Sequence, residues 1–276
     1  MSESTCILVA VDHSPGSLTA VARAQALTKV TGDSLVVCTV LEVKHDDQML
    51  EQARVRLASV ARHADIQVRF GTAFVELIRV AREANARLIV AGATGEHTDG
   101  QLALGVTIDR LARKADRPVL VVRKPPKNGY RSVIVGLDGS TDAAHAAHLA
   151  RVLAPQAQIT GVMAAPPIGE HLLTMRGTEE RALTAYRNRL EEDARERLKK
   201  AASGLPIDHQ QATVGRPETV LLTAADAHES DLLAVGRRGL SPLAAVLLGS
   251  VGHHLVHEAP CDVLVYRSSD LDFEPP

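Results

Sequence analysis

The feature that most constrains the fold of this chain is a long internal repeat. Short segments of the first half recur, in the same order, in the second half. Residues Ile7–Asp12 match Val133–Asp138, and residues 119–123 match 263–267. Repetition on this scale indicates two copies of one supersecondary plan rather than a single large domain.

The repeat sets the predicted domain boundaries. A chain of 276 residues is long enough for two domains of ordinary size. A stretch that contains proline and glycine separates the copies, which is typical of a linker. We predict a first domain at 1–124, a linker at 125–130 and a second domain at 131–276.

Each copy is predicted to alternate strands with amphipathic helices. The strand segments are short, rich in Val, Ile and Leu, and do not alternate with polar residues. This pattern is typical of parallel strands that helices cover on both faces. The predicted class is α/β, with two tandem, doubly wound, five-stranded parallel sheets of Rossmann-like type. In the first copy the strands are predicted near residues 5–11, 34–41, 66–70, 87–91 and 118–123.

The last strand of each copy is strongly apolar, at Val119–Val122 and Val263–Tyr266. An apolar sheet edge invites aggregation unless it is paired or covered. We therefore predict that the two last strands pair with each other, which gives an intrachain pseudo-dimer. The sequence leaves open whether two chains form a homodimer. The insertion at 164–178, with its proline and glycine residues, is predicted to be a loop.

Composition narrows the classes of partner. The net charge is −2 and aromatic residues make up only 2%, so neither a basic field nor a set of stacking rings favours nucleic acid. No apolar run reaches the ~20 residues of a membrane span. Three scattered cysteines give no disulfide or zinc pattern. With no signal peptide visible at the first residues, we expect a cytoplasmic protein that binds neither membrane nor nucleic acid.

Three features of the second copy converge where parallel strands end, which is the ligand-binding edge of an open α/β sheet. An aspartate follows the first strand, and its carboxylate can accept hydrogen bonds from a ribose or an adenine amino group. A Gly-x-x-Gly loop follows the fourth strand, and its backbone N–H groups can approach phosphate oxygens. A Gly-Ser pair then begins the last helix, whose dipole favours an anion. The residues are Gly136, Leu137, Asp138, Val235, Gly236, Arg238, Gly239, Gly249, Ser250 and Val251.

The first copy carries the same layout with changes. The matching residues are Ala10, Val11, Asp12, Ala91, Gly92, Gly95, Gly105, Val106 and Thr107. Val106 lacks the hydroxyl of Ser250. The loop Glu96–Asp99 is acidic, whereas the second copy has Arg237 and Arg238 beside its glycines. One lost hydrogen bond to a charged group costs ~1.5–3 kcal/mol. We therefore expect the second site to bind an anion more tightly than the first.

These motifs resemble those of the universal stress proteins in their tandem, two-domain form, and the resemblance covers nearly the whole chain. It rests on Val-Gly-Leu-Asp138-Gly-Ser, Gly236-Arg-Arg-Gly239, Gly249-Ser250-Val251 and the segment that ends at Arg267. It implies an adenine-nucleotide hydrolase-like fold, ATP with Mg²⁺ as the cofactor, and a cytoplasmic regulatory protein of the stress response that has an unknown protein partner. It also implies that Val162, with Val40 as its first-half counterpart, contacts the adenosine.

The candidate site residues also have purely structural interpretations. The aspartates can simply cap turns, and the glycines can serve tight turns only. His253 and His257 share a helix face, but without an acidic ligand nearby we interpret them as surface residues, and no metal site is predicted. Two other functions remain open: a slow ATP hydrolase or phosphotransfer enzyme, and a nucleotide-free interaction scaffold. The sequence shows no catalytic base or arginine finger, so no catalytic residue is predicted.

Overall fold

We analysed a computed structural model, which describes residues 5–41, 47–61, 63–94, 105–237 and 250–267. The strands are β1 Cys6–Ala10, β2 Ser34–Leu41, β3 Asp65–Phe70, β4 Ala86–Gly92, β5 Val119–Val122, β6 Ser132–Gly136, β7 Gln158–Ala165, β8 His209–Val214, β9 Leu232–Gly236 and β10 Asp262–Tyr266. The helices are α1 Pro15–Thr31, α2 Asp47–Val60, α3 Ala73–Glu83, α4 Val106–Lys114, α5 Thr141–Leu153, α6 Glu170–Met175, α7 Glu180–Ala201, α8 Pro217–Ala227 and α9 Ser250–Glu258. Strands and helices alternate within each copy, as the sequence predicts, except that two helices, α6 and α7, follow β7.

The two copies share one ten-stranded sheet, in the order β3-β2-β1-β4-β5-β10-β9-β6-β7-β8. Every pairing within a copy is parallel, and the joint between β5 and β10 is antiparallel, with Leu120 opposite Leu264. The predicted pairing of the last strands is confirmed. Each half-sheet thus has its apolar edge strand in the middle of a larger sheet, where it is no longer exposed to edge-to-edge association.

Helices cover both faces of the sheet, as a doubly wound fold requires. One apolar cluster joins the sheet to α1, α2, α5 and α7, and a second joins it to α3, α4, α8 and α9. The central strands are buried on both sides, with Ile7, Leu120 and Leu264 fully buried. This double coverage explains why the strands read as continuous apolar runs. Among the described residues, no helix is long and apolar enough to cross a membrane.

Local sequence explains where the helices that follow the first strands begin. Ser14 and Ser140 are the N-caps of α1 and α5, and their hydroxyls accept hydrogen bonds from Ser17 N and Ala143 N. Pro15 occupies the first turn of α1, where no N–H is needed. Both helices therefore start immediately after the strand-end aspartates, which fixes those aspartates close to the helix N-termini.

Two arginines at equivalent positions of the repeat tie the copies together. Arg123, which follows β5, donates to the carbonyls of Val256 and His257 at the end of α9. Arg267, which follows β10, donates to the carbonyls of Lys114 and Ala115 at the end of α4. Each copy thus caps the last helix of the other, and each guanidinium lies at the negative end of a helix dipole.

A buried carboxylate adds a second tie between the copies. Asp262, at the start of β10, accepts hydrogen bonds from Arg23 Nε at 3.0 Å and Tyr130 Oη at 2.8 Å. It also accepts from the backbone N–H of Arg123 at 2.8 Å. The Arg23 guanidinium lies over the Tyr130 ring. One side chain of the second copy therefore joins α1, β5 and the connection between the copies.

The insertion at 164–178 is not the loop that the sequence predicted. Strand β7 continues to Ala165, and α6 forms a short helix at Glu170–Met175. Gly169 begins α6 in the left-handed conformation, with φ of 87°, and Gly177 follows it with φ of 74°. The glycines that favoured a loop instead bound a helix of less than two turns, which is too short to show an apolar period.

Candidate functional site

The two switch points of the sheet bring most of the predicted site residues together. In the first copy the chain goes outward from β1 to β2 in one direction, and β4 lies on the other side of β1. In the second copy β6 has the same position between β7 and β9. Ligands of open α/β sheets bind in the crevice above such a pair of strands, outside their carboxyl ends. Asp12 and Gly92 flank the first crevice, and Asp138 and Gly236 flank the second.

Both strand-end aspartates make the same local hydrogen bond. Asp12 Oδ1 accepts from Ser14 N at 3.0 Å, and Asp138 Oδ1 accepts from Ser140 N at 2.9 Å. These Asx turns bear out the turn-capping interpretation, since they hold the chain between strand and helix. The turn residue in each copy is left-handed, with φ of 64° at His13 and 88° at Gly139. Both carboxylates remain at least partly exposed, so they are accessible to a ligand in the crevice.

The first glycine of each Gly-x-x-Gly loop has a packing role. A Cβ atom on Gly92 would lie 2.4 Å from the backbone of Gly16, at the start of α1. A Cβ atom on Gly236 would lie 2.7 Å from the N atom of Ala143, in the first turn of α5. A Cβ atom does not come this close to a non-bonded backbone atom, so glycine is required where strand and helix meet. Close packing accounts for these two glycines without any ligand, and it also brings the helix N-terminus beside the crevice.

The last helix of each copy begins as expected. Gly105 is the N-cap of α4, and Val106, Thr107 and the next residues form its first turn, with Val106 67% exposed. Ser250 is the first residue of α9 and is also exposed, followed by the partly buried Val251. The first backbone N–H groups of a helix have no partner within it. Either helix can therefore donate to an anion. At the first helical position only the second copy presents a hydroxyl, from Ser250, whereas in the first copy the hydroxyl of Thr107 stands one residue later.

Several predicted residues lie outside the described part of the chain. These are Gly95, Arg238, Gly239 and Gly249, together with Glu96–Asp99. The buried residues that precede the crevices are described: Val11 and Leu137 after the first strands, and Ala91 and Val235 within the fourth. Their side chains lie in the core. Ala10 and Gly136, which are partly exposed, end β1 and β6.

The predicted equivalence of Val40 and Val162 is wrong. Gly136 pairs with Val162, whereas its counterpart Ala10 pairs with Cys38, so Cys38 is the structural equivalent of Val162. Val40 corresponds to Ala164. The side chain of Val162 is 1% exposed and packs in the core, and its carbonyl accepts from Leu137 N. A shift of two residues keeps the same face of the strand, so the apolar pattern did not reveal the error.

The role given to Arg237 also needs correction. The sequence predicts a positive charge of Arg237 beside the phosphate loop, but the side chain is only 2% exposed. Its Nη1 donates to the carbonyl of Arg113 in α4, and its backbone N–H donates to Tyr266 O. Arg237 therefore joins Arg267 at the end of α4 in the first copy. Its equivalent in the repeat is Ala93, so the second copy contributes one more capping arginine than the first.

Comparison with known proteins places this architecture. The sequence profile described as the Universal stress protein family matches residues 5–123 and 129–267, which is nearly the whole chain in two consecutive copies. The chain belongs to the universal stress protein family. A universal stress protein of Thermus aquaticus is 32% identical over 141 residues, covering 50% of this chain and 99% of that protein. A universal stress protein of Mycobacterium tuberculosis is 31% identical over 147 residues, covering 51% and 99%.

Solved structures support the tandem arrangement of this universal stress protein. A universal stress protein from Archaeoglobus fulgidus has a TM-score of 0.68 at 20% identity, covering 97% of this chain and 99% of its own. A putative universal stress protein from Pseudomonas aeruginosa has a TM-score of 0.67 at 17% identity, covering 97% and 95%. At these identities the likeness shows the fold alone. It confirms the tandem Rossmann-like architecture that the repeat predicted.

The sequence analysis missed one cluster of this universal stress protein. His253 and His257 lie one turn apart on α9, and Asp109 of α4 approaches both imidazoles from the other copy. Burial lowers the pKa of His253, and the nearby charge of Arg113 acts in the same direction. The sequence places Asp109 far from the histidines. The pairing of the last strands brings α4 against α9. The acidic residue near the two histidines therefore comes from the other copy, where the sequence alone does not reveal it.

Proposed function

We propose that this chain binds ATP, with Mg²⁺, in the crevice of its second copy and acts as a nucleotide-dependent regulatory protein of the stress response. One observation carries the proposal. Asp138 follows β6 and Gly236 ends the neighbouring strand β9, so both residues flank the crevice at the β6–β9 switch point, and α9 begins at Ser250. This arrangement suits a nucleotide with its sugar and base toward Asp138 and its phosphates toward the loop and helix.

The charges of these groups support that orientation. A carboxylate is suited to ribose hydroxyls or an amino group, both of which donate hydrogen bonds, and it would repel a phosphate. The N-terminus of α9 offers N–H donors and the positive end of a helix dipole. The Ser250 hydroxyl adds one donor that can turn toward a phosphate oxygen. The hydrogen-bond acceptor thus lies at the end of the crevice proposed for the sugar and base, and the donors lie at the end proposed for the phosphates.

The same argument makes the first copy the weaker site. Val106 occupies the position of Ser250 and offers no hydrogen bond, although it is exposed at the start of α4. Asp12 retains the geometry of Asp138. The difference between the sites therefore concerns the phosphate end of the crevice. We propose that occupancy of the second site by ATP changes the surface that a protein partner meets.

The direct experiment is to denature the purified, full-length protein and identify any nucleotide that it releases, with its ratio to protein. Release of ATP at close to one equivalent supports a binding protein with slow turnover. Release of ADP, with phosphate production from fresh ATP, would instead identify a hydrolase or phosphotransfer enzyme. Absence of nucleotide, with no shift of the melting temperature in Mg-ATP, would leave the scaffold function and reject the proposal.

Matched substitutions test the difference between the two sites. Ser250→Ala is expected to weaken ATP binding by about ten- to a hundredfold, because one charge-assisted hydrogen bond is lost. Val106→Ser is expected to strengthen the first site by about tenfold for the converse reason. Both residues are exposed, so neither change disturbs the core. The measurement is isothermal titration with Mg-ATP of nucleotide-free protein.

The control is Ser203→Ala. Ser203 is exposed and lies between the end of α7 and the start of β8, at the amino ends of the strands and away from the crevice. Equal ATP affinity in Ser250→Ala and the parent protein would contradict the assignment of the second site. Gly236→Ala is unsuitable for this purpose. Its new methyl group would overlap the first turn of α5, so lost binding would not distinguish a damaged fold from a lost phosphate contact.

A further inference from the structure

Helices α4 and α9 meet where the two copies face each other. Counting from Gly105 and Gly249, Asp109 is equivalent to His253 and Arg113 is equivalent to His257. Asp109 thus contacts the residue at its own equivalent position in the other copy. The four side chains therefore lie close to the pseudo-two-fold axis that relates the two copies. The first copy contributes an aspartate and an arginine, and the second copy contributes two histidines at the equivalent positions.

The three potential ligands of this cluster converge on one point. One ligand atom from each of Asp109, His253 and His257 lies within 4.8 Å of the others. Asp109 Oδ1 is 3.3 Å from His253 Nε2 and 3.8 Å from His257 Nε2. Four-coordinate Zn²⁺ has bonds of about 2.0–2.1 Å, which place neighbouring ligand atoms about 3.3 Å apart. The first distance already fits an edge of such a tetrahedron, and the second requires a shift of about half an ångström.

The surroundings of the ligands match this interpretation. Histidines four residues apart on a helix present their rings on the same side, and their ring centroids here lie 4.4 Å apart. His257 Nε2 is buried and has no hydrogen-bond partner in the described part of the chain. Arg113 Nε lies 3.0 Å from Asp109 Oδ2 and 3.1 Å from Oδ1. Arg113 therefore orients the carboxylate, as partners of metal ligands commonly do.

We propose that Asp109, His253 and His257 form a binding site for a divalent transition-metal ion of the Zn²⁺ type, with the fourth position left to water. Two imidazoles and one carboxylate make a donor set that favours Zn²⁺ over Mg²⁺ or Ca²⁺, which prefer oxygen ligands. The ligands come from both copies, so a bound ion would link the helices that begin at the two nucleotide crevices. The site is separate from the Mg²⁺ that accompanies ATP, and it does not depend on the proposed nucleotide function.

The same distances also suit an ion pair between Asp109 and a protonated imidazole, and metal binding distinguishes the two. The experiment uses the full-length chain without a polyhistidine tag, stripped of metal with a chelator that is then removed. Zn²⁺ is titrated into this protein by calorimetry at pH 7.5 in the absence of nucleotide. We expect one ion per chain. Co²⁺ in place of Zn²⁺ should give the visible absorption of a four-coordinate ion.

Substitutions at two of the three ligands, one from each copy, locate the site. Asp109→Asn and His257→Ala are each expected to weaken Zn²⁺ binding by at least about a hundredfold, since even partners of metal ligands contribute ten- to a hundredfold. His254→Ala is the matched control, because His254 is exposed on the same helix and is not part of the cluster. It should bind Zn²⁺ like the parent protein. Circular dichroism and melting in metal-free buffer check that each variant is folded.

The outcomes are distinct. Failure of the parent protein to bind Zn²⁺ at micromolar concentration overturns the proposal and leaves the ion pair. Binding that survives Asp109→Asn and His257→Ala, or that is lost equally in His254→Ala, places the ion elsewhere and also overturns it. Retained ATP binding in the ligand variants is expected in every case. The metal site and the nucleotide site can therefore fail independently.

Discussion

At the scale of single residues, the three cysteines illustrate how burial alters chemistry. Cys6, Cys38 and Cys261 are buried and form no disulfide. Burial is the main cause that raises the pKa of Cys38 and of Cys261 to about 12, and that of Cys6 to about 11. The thiolate is disfavoured in the core because it would lose its hydration there. These thiols behave as small apolar side chains.

The raised pKa values predict alkaline destabilisation. An unfolded chain releases the thiol protons near pH 9, whereas the folded chain keeps them until pH 11 or 12. The contribution of these thiols is complete below pH 9 and is lost as the pH rises toward the folded values. Each thiol should lower the free energy of unfolding by about 1.4 kcal/mol per pH unit in that window.

Cys261→Ala isolates one such thiol. The variant should be less stable at pH 7.5 because it loses packed atoms, yet the gap to the parent protein should narrow between pH 9 and 11. Urea unfolding under reducing conditions at several pH values measures this gap. Val265→Ala, a buried change nearby without a titrating group, should keep a constant gap. A constant gap for Cys261→Ala as well would show that its thiol is not protected.

At the scale of elements, the exchange of arginine caps ties α4 and α9 each to the opposite copy. Arg267→Met should lower the free energy of unfolding by about 2–3 kcal/mol, because the carbonyls of Lys114 and Ala115 lose a charged donor while the apolar stem is retained. Arg123→Met should cost a similar amount at Val256 and His257. Chemical denaturation measures both variants.

The control for these caps is Arg195→Ala. Arg195 is two-thirds exposed on α7 and, among the described residues, forms an ion pair only with Glu191 one turn away. Its loss should therefore change stability by no more than about 0.5 kcal/mol. If Arg267→Met is as stable as Arg195→Ala, the cap is a geometric coincidence and water serves the end of α4 equally well.

The elements also show which parts of this fold the sequence can predict. The central strands were predictable because burial on both faces leaves mostly apolar residues in them. The repeat supplied each strand twice, which also located the more polar outer strands β3 and β8. Helix α6 was not predictable, since a helix of six residues between two glycines is too short to show a helical period of apolar residues. The predicted equivalence of Val40 and Val162 was wrong because the register of a strand depends on its contacts with neighbouring strands. A shift of two residues leaves the apolar pattern of the strand unchanged.

The candidate site was predictable in the same uneven way. The aspartates and glycines were found because strand ends can be located from sequence and parallel strands end at one edge. The burial of Arg237 was not, because its partner Arg113 lies in the other copy. The same is true of Asp109 beside the histidines. Residues that act within a copy were visible in the sequence, whereas residues that act across the joint were not.

At the scale of the whole molecule, Asp262 is expected to stabilise the joint strongly. It is 1% exposed and is paired with Arg23, which is also buried. Asp262→Asn keeps the shape but leaves the Arg23 charge without its counter-ion, which should cost about 3–5 kcal/mol. Burial, together with the Asp262 charge, also raises the pKa of Tyr130 well above its usual value.

A second substitution separates charge from shape at this joint. Adding Arg23→Met to Asp262→Asn removes the orphaned charge, so part of the lost stability should return. Asp193→Asn, an exposed change on α7, should alter stability by less than about 0.5 kcal/mol. Thermal and urea unfolding of the full chain supply the comparison. A double variant that is less stable than Asp262→Asn alone would show that Arg23 contributes mainly through packing on Tyr130.

The fusion of the two copies has a consequence for how this molecule can change by mutation. In a dimer of identical chains, every substitution on the symmetry axis appears twice and faces its own copy. Here Asp109 faces His253, Arg237 has no twin because Ala93 stands in its place, and Ser250 has diverged from Val106. One mutation can therefore give one half a property that the other half never acquires. The pairing of β5 with β10 thus holds two domains that have diverged from each other together in one chain, so they are always inherited together.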